Sequence, residues 1–154
     1  MTPEQRLAAA GIELPQAPPP AASYVPWTIS GDLVFTAGQI PVADGTPTAT
    51  GRLGVEVDLE EGQAAARQCA INVVAQLKAA AGELSRVTQL VKITVYVASD
   101  TDFHQQHLVA NGASDLLGKV FASDVGAHAR SAVGVAVLPL NVPVEVEAIA
   151  RLQS

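Results

Sequence analysis

Apolar and polar side chains alternate most clearly between Leu90 and Val97: Val91, Ile93, Val95 and Val97 fall on one face and Lys92, Thr94 and Tyr96 on the other, as in a sheet strand. His128–Ala150 holds two more such runs. Ser131, Val133, Val135 and Val137 alternate, Leu138-Pro139-Leu140-Asn141 breaks the pattern, and Val144, Val146 and Ala148 resume it, which predicts two strands joined by a short turn. Tyr24–Ile29 and Leu33–Ile40 are strand-like on either side of Ser30-Gly31-Asp32, a turn sequence that predicts a hairpin, and Pro26 puts the first of these strands at an edge or a bulge. A helical period governs the intervening segments. Asp58-Leu59-Glu60-Glu61 has the form of a capping box and opens the longest helix, with Ala66, Ala70, Val73, Leu77, Ala80 and Leu84 as its inner stripe and Asn72 among the positions outside it. Asp102 is expected to cap another helix with the stripe Phe103, His107, Ala110, Ser114, Leu117 and Phe121, after which Ser123–Ala127 returns as a loop.

Two segments stand outside this alternation. Thr2-Pro3-Glu4-Gln5 starts a short helix that Gly11 ends, and the proline-rich run Pro15–Pro20 is an extended spacer expected to lie on the surface and dock that helix. Pro41–Gly54, dominated by Pro, Gly, Asp and Thr, reads as a mobile surface loop. The order β-β-α-β-α-β-β predicts an α+β domain over residues 23–154, with helices packed on one face of a single sheet, preceded by a helix and spacer over residues 1–22.

Composition narrows this picture. A length of 154 residues suits one domain, and 49% apolar with only 4% aromatic residues means a core of Ala, Val and Leu, with small apolar residues to spare for subunit contacts. The formal charge of −6 and scattered Lys and Arg make nucleic acid a poor partner. No apolar run has a membrane-spanning length of about 20 residues, and the N-terminus lacks the basic and apolar regions of a signal peptide, so a cytoplasmic protein is expected. Cys69, the single cysteine, excludes an internal disulfide and reads as a buried thiol. His104 and His107 lack a carboxylate frame for a metal, and no Gly-x-Ser-x-Gly, Walker or GxGxxG motif is present.

The chemistry that remains lies at the C-terminal end. Arg130 shares its strand face with Ala132, Gly134 and Ala136, while Glu145 and Glu147 share one face of the following strand. A cation beside very small residues, with carboxylates on an adjoining strand, suits an anionic ligand and a proton transfer. The same residues read equally as a surface arginine and a solvated strand face, and spacing does not choose between these.

The run R-S-x-V-x-V-A-x-L-P from Arg130, followed by V-E-V-E-A-I-A from Val144, resembles the C-terminal signature of the YjgF/RidA family, reactive intermediate deaminases once labelled L-PSP endoribonucleases. Tyr24 followed by Leu33-Val34-Phe35-Thr36-Ala37-Gly38-Gln39-Ile40-Pro41, the strand Val91–Val97 and Asp102-Phe103 resemble further family segments, so the similarity runs from about Tyr24 to Ala150. It implies a chorismate-mutase-like mixed sheet backed by two helices, a homotrimer with a cleft at each subunit interface, no cofactor, and hydrolysis of 2-imino or 2-enamino acids to 2-keto acids and ammonia. On that pattern Arg130 grips the substrate carboxylate, the backbone N–H of Ala132 adds a donor, Glu145 positions or activates water, and Tyr24 closes the pocket. Ala37, Gly38 and His107 fall at pocket positions. Three of these residues depart from the family pattern: Ala37 stands for a serine, Ala132 for a cysteine and His107 for an asparagine. The alternatives are capture of a small carboxylate metabolite without turnover and, with less support, endoribonuclease activity.

Overall fold

Local chemistry sets the helix ends in this computed structural model, which describes all residues from Met1 to Ser154. Helix α1 (Pro3–Ala9) carries a complete capping box: the Gln5 N–H donates to Thr2 Oγ1 at 3.2 Å and the Thr2 N–H to Gln5 Oε1 at 2.9 Å. Strands β1 (Trp27–Ser30) and β2 (Leu33–Thr36) form the expected hairpin, and β3 (Val42–Ala43) and β4 (Thr46–Pro47) form a small separate ribbon. Helix α2 (Leu59–Ala81) is capped by Asp58, whose Oδ1 accepts from the Glu61 N–H at 2.8 Å. Strand β5 (Val87–Ala98), helix α3 (Gln106–Gly126) and strands β6 (Ala129–Val135) and β7 (Val144–Leu152) complete the chain.

The five-stranded sheet has the order β1-β2-β7-β5-β6, with β5 and β6 parallel and the other neighbours antiparallel. This mixed sheet with helices on one face is the expected α+β architecture. The strands β6 and β7 are not the hairpin that their sequence suggests, because β5 lies between them. Alternation specifies a strand and its buried face but not its neighbour, and the connection through Pro139–Asn141 is long enough to step past one strand. The alternation of β5 is also not strict. Leu90 pairs with Ala150 and Lys92 with Ile149, so Val91 is an extra, bulged residue, and Leu90 joins Ile93, Val95 and Val97 in the buried row.

The core lies between that row, the β7 row Val144, Val146, Ala148 and Ala150, and helices α2 and α3. Small residues bring the helices close: a methyl group at Gly112 of α3 would overlap the Gln63 carbonyl oxygen of α2, while Gln63 Nε2 donates to the Leu108 carbonyl at 2.9 Å. Asn72 departs from its assigned outer position. It is buried and donates from Nδ2 to the carbonyls of Ile40 at 2.9 Å and Val42 at 3.0 Å, which fastens α2 to the segment after β2. Pro41–Gly54 is likewise more than a surface loop. It forms the β3–β4 ribbon, and Leu53 is fully buried with its N–H bonded to the Ala98 carbonyl at 2.8 Å. Turn residues identify such a segment locally, but burial of its one large apolar side chain is decided by the space that Gly62 leaves on α2.

Helix α3 begins at Gln106 rather than at Asp102, and its inner stripe is Val109, Ala110, Ala113, Leu116, Leu117, Val120 and Phe121. His107 is therefore exposed and Ser114 only half-buried. The helix continues past a kink at Ala122 to Gly126, through the segment expected as a loop. Helix α1 packs on α3 through the buried Leu7, and Glu4 Oε1 accepts from the Leu84 N–H at 2.8 Å. The spacer runs along the surface as expected, and the Pro18 carbonyl accepts from Gln76 Nε2 at 2.7 Å.

The helix contact makes a direct stability prediction. Gly112→Ala should lower stability by about 1–3 kcal/mol in urea unfolding, because backbone rather than a flexible side chain stands in its way. Gly118→Ala, in the same helix with open space around it, should instead stabilise by roughly 0.5–1 kcal/mol. Equal effects at both positions would contradict the close helix approach.

Candidate functional site

The register of β6 with β5 sets Arg130 opposite Ile93, a core residue, so its side chain leaves on the helix side of this edge strand. There it meets the start of α3. Arg130 Nη1 donates to Asn111 Oδ1 at 2.9 Å and to Ser114 Oγ at 3.2 Å, and Nη2 donates to the His107 carbonyl at 3.1 Å. Of the five guanidinium N–H groups, Nε–H and one on Nη2 remain available to a ligand. Ser114 Oγ is in turn 2.9 Å from His128 Nε2, while His128 Nδ1 is 2.7 Å from the Gly126 carbonyl. A carbonyl can only accept, so Nδ1 carries the proton. In the neutral ring Nε2 then accepts from the Ser114 hydroxyl, which leaves the Ser114 oxygen to accept from Arg130. Ala132 follows Arg130 on the same strand face. His107 enters through its carbonyl, and its imidazole is exposed rather than set on the inner stripe.

A second group forms on the other face of the sheet. Glu145 of β7 pairs with Tyr96 and Glu147 with Thr94, both on the face away from the helices. Next to them the β2–β7 pairing takes in one extra residue: Phe35 pairs with Ile149, yet the following bridge joins Gln39 to Val146. The resulting bulge is at Ala37-Gly38, and Thr36 Oγ1 accepts the Ala148 N–H at 3.0 Å where the ladder is interrupted. A Cβ at Gly38 would overlap the Glu145 carboxylate, so the absence of a side chain there is what lets the carboxylate take this position. The buried Gln39 side chain holds the bulge from within, donating to the Ala37 carbonyl at 3.2 Å and the Gly38 carbonyl at 3.4 Å.

Glu145 and Gly38 line a cleft of about 590 Å³ together with Tyr24, Leu140 and the spacer residues Pro18–Ala22. Tyr24 is half-exposed, and its hydroxyl oxygen accepts from the Ala21 N–H at 3.4 Å. Burial, and then the neighbouring Glu147 charge, push the Glu145 carboxyl above its ordinary range. Glu147 itself accepts from the Tyr96 hydroxyl at 2.9 Å, a bond that raises the Tyr96 phenol. Glu145 is thus a carboxylate that takes up a proton more readily than a solvated glutamate.

These two groups do not meet within one chain. Arg130 and Ala132 lie on the helix face beside α3, whereas Glu145, Gly38 and Ala37 lie by the cleft across β5. The expected carboxylates on a strand adjoining Arg130 are corrected accordingly, since the strand paired with β6 is β5. Asn111, Ser114, His128 and Gln39 were not singled out as site residues. The advance signal in the sequence is Ser114, which with His107 is one of two polar positions on the expected stripe of this helix. His104, His107 and His128 form no metal-sized group with Cys, Asp or Glu.

A family model described as "YjgF/chorismate_mutase-like, putative endoribonuclease" matches residues 4–152, a span that includes most of α1 and the spacer. The chain is 49% identical to protein TCP17 of Trypanosoma cruzi over 144 residues, covering 94% of this chain and 90% of TCP17. It is 34% identical to the 2-iminobutanoate/2-iminopropanoate deaminase of Escherichia coli over 139 residues, covering 90% of this chain and 94% of that enzyme. Among solved structures, Atu1372 of Agrobacterium tumefaciens superposes with a TM-score of 0.91 at 45% identity, covering 98% of this chain and 92% of that one.

The environment of Glu145 predicts a pH-dependent stability difference. A raised folded-state pKa means that ionising Glu145 costs stability, so Glu145→Gln should melt at a higher temperature than the wild type at pH 7. The gain should vanish as pH falls below about 4.3, where the unfolded-state carboxyl is protonated too. A gain that persists unchanged at pH 3 would contradict this origin.

Proposed function

The chain belongs to the YjgF/chorismate-mutase-like family, and from that premise we propose that it hydrolyses 2-imino acids to 2-keto acids and ammonia at a site built from two copies of the chain. The family includes 2-iminobutanoate/2-iminopropanoate deaminases. The observation that carries the reading is the division of the chemistry: a preset guanidinium on one face of the sheet, and a half-buried carboxylate with a cleft on the other. Joining one chain's first face to another's second is a heterologous contact, which gives a ring when its rotation closes, and a homotrimer is the ring proposed here. The sheet face away from the helices exposes Phe35 and Val133 and supplies apolar surface for such an assembly.

In this mechanism the substrate carboxylate takes the two remaining N–H groups of Arg130, with the Ala132 N–H as a further donor. Glu145 of the neighbouring copy accepts a proton from water as the oxygen attacks the imine carbon, and the C=N bond becomes a C–N single bond. The proton passes from Glu145 to the nitrogen, which gives a carbinolamine; Glu145 then takes the hydroxyl proton of that intermediate and hands it to the same nitrogen, so that the C–N bond breaks, the C=O bond of the keto acid forms and ammonia leaves. Tyr24 closes the cleft over the reacting centre. Because Glu145 lacks a protein donor and its carboxyl is raised, the carboxylate is a stronger base than a solvated glutamate. Capture of a carboxylate metabolite without turnover would use Arg130 in the same way but would not need Glu145. The charge of −6 disfavours RNA as substrate.

An amino-acid oxidase supplying imines, with keto-acid release followed over time, tests the proposal. Wild type should accelerate release. Glu145→Gln should lower kcat by about 100-fold or more with a modest change in KM, as expected for removal of a general base. Arg130→Ala should mainly raise KM, and Arg130→Lys should not restore it, since an ammonium lacks the planar fork. A wild type without turnover, together with ligand binding that survives Glu145→Gln, would favour capture instead.

A further inference from the structure

We propose that the spacer, residues 12–22, is a specificity wall that selects 2-imino acids with long or branched apolar side chains over the one derived from alanine. This deepens the deaminase reading and rests on it. The wall is on the cleft: Pro18, Pro19, Pro20, Ala21 and Ala22 face the same space as Gly38 and Glu145. It is also fixed. The fully buried Gln76 of α2 donates to the Pro18 carbonyl at 2.7 Å, Ile12 and Leu14 pack against the core, and α1 is anchored by Leu7 and by the bond from the Leu84 N–H to Glu4. Consecutive prolines hold the segment extended without freedom at φ.

The chemistry of this wall is one-sided. Three prolines offer no N–H, the Pro18 carbonyl is taken by Gln76, and the Ala21 N–H points to the Tyr24 hydroxyl. The side chains it presents to the cleft are proline rings and alanine methyl groups, to which Ile40, Val42 and Leu140 add apolar surface, with Gln39 and Asn72 as polar side chains elsewhere in the lining. The cleft volume of about 590 Å³ lies in the range that encloses ligands far larger than a three-carbon acid. A substrate whose imine carbon sits at Glu145 has this largely apolar cleft beside it, and its side chain is the part that enters. Each additional methylene buried there should favour binding about fourfold.

The test is kcat/KM for imines generated from alanine, leucine and phenylalanine, measured on the full chain. The leucine- and phenylalanine-derived imines should exceed the alanine-derived one by about tenfold or more. Ala22→Phe, at an exposed position where folding is not at risk, should fill the wall and reduce that ratio at least tenfold, and Pro19→Asp should reduce it by placing a charge there. Hydrolysis of the alanine-derived imine with no preference for the larger ones, or a ratio untouched by both variants, overturns the wall while leaving the deaminase reading intact. If no imine is hydrolysed, that reading fails separately, and calorimetric titration with 4-methyl-2-oxopentanoate and pyruvate decides the wall. Tighter binding of the branched acid, lost in Ala22→Phe, supports it, and equal or reversed affinities overturn it.

Discussion

Strand β5 is hydrogen-bonded along both edges, in parallel to β6 and antiparallel to β7, and its row Ile93, Val95 and Val97 is fully buried beneath the helices. A strand held in this way cannot slip by one residue without turning its buried row to the opposite face. Its register therefore fixes where both charged groups point. Arg130 is level with Ile93 and must leave toward α3, while Glu145 is level with Tyr96 and must leave on the other side. The separation of cation and carboxylate is a consequence of the sheet order, and an intermolecular site is the arrangement that can reunite them.

Each half is then tuned by neighbours that the strand register brings close. On one side the fork of Arg130 is held by Asn111, Ser114 and the His107 carbonyl, with His128 setting the polarity of the Ser114 hydroxyl. On the other side the bulge at Ala37-Gly38 opens room beside β7, and the absence of a side chain at Gly38 lets the Glu145 carboxylate sit half-buried against backbone. Such a carboxylate weakens the fold slightly and gains basicity from the same desolvation. Bulges and buried charges of this kind concentrate where chemistry is done.

What could be read in the sequence was what is decided locally. The Thr2 and Asp58 caps, the β1–β2 turn at Gly31 and the docking spacer follow from a few adjacent residues. Asp102 had the same local look but lies in the turn before α3, whose first residue is Gln106. The Val91 bulge, the insertion of β5 between β6 and β7 and the burial of Asn72 and Leu53 depend on partners distant in sequence, which periodicity does not encode. The site divides similarly. Arg130 and Glu145 stood out because a charge interrupts an apolar pattern, whereas Asn111 and Ser114 reach Arg130 from 19 and 16 residues away; Asn111 looks like an ordinary helix position, and Ser114 shows only as a polar residue on an expected inner stripe.

Whether Arg130 of one copy works with Glu145 of another is decided by complementation between two inactive variants. Arg130→Ala and Glu145→Gln chains would be co-expressed with different affinity tags and the doubly tagged oligomers purified. Keto-acid release from an amino-acid-derived imine would then be compared with each variant alone. In a trimeric ring that contains both variants, about a third of the sites pair an intact Arg130 with an intact Glu145, so activity should return to a measurable fraction of wild type. Mixed oligomers that remain as inactive as either parent, beside an active wild type, would contradict a site shared between copies.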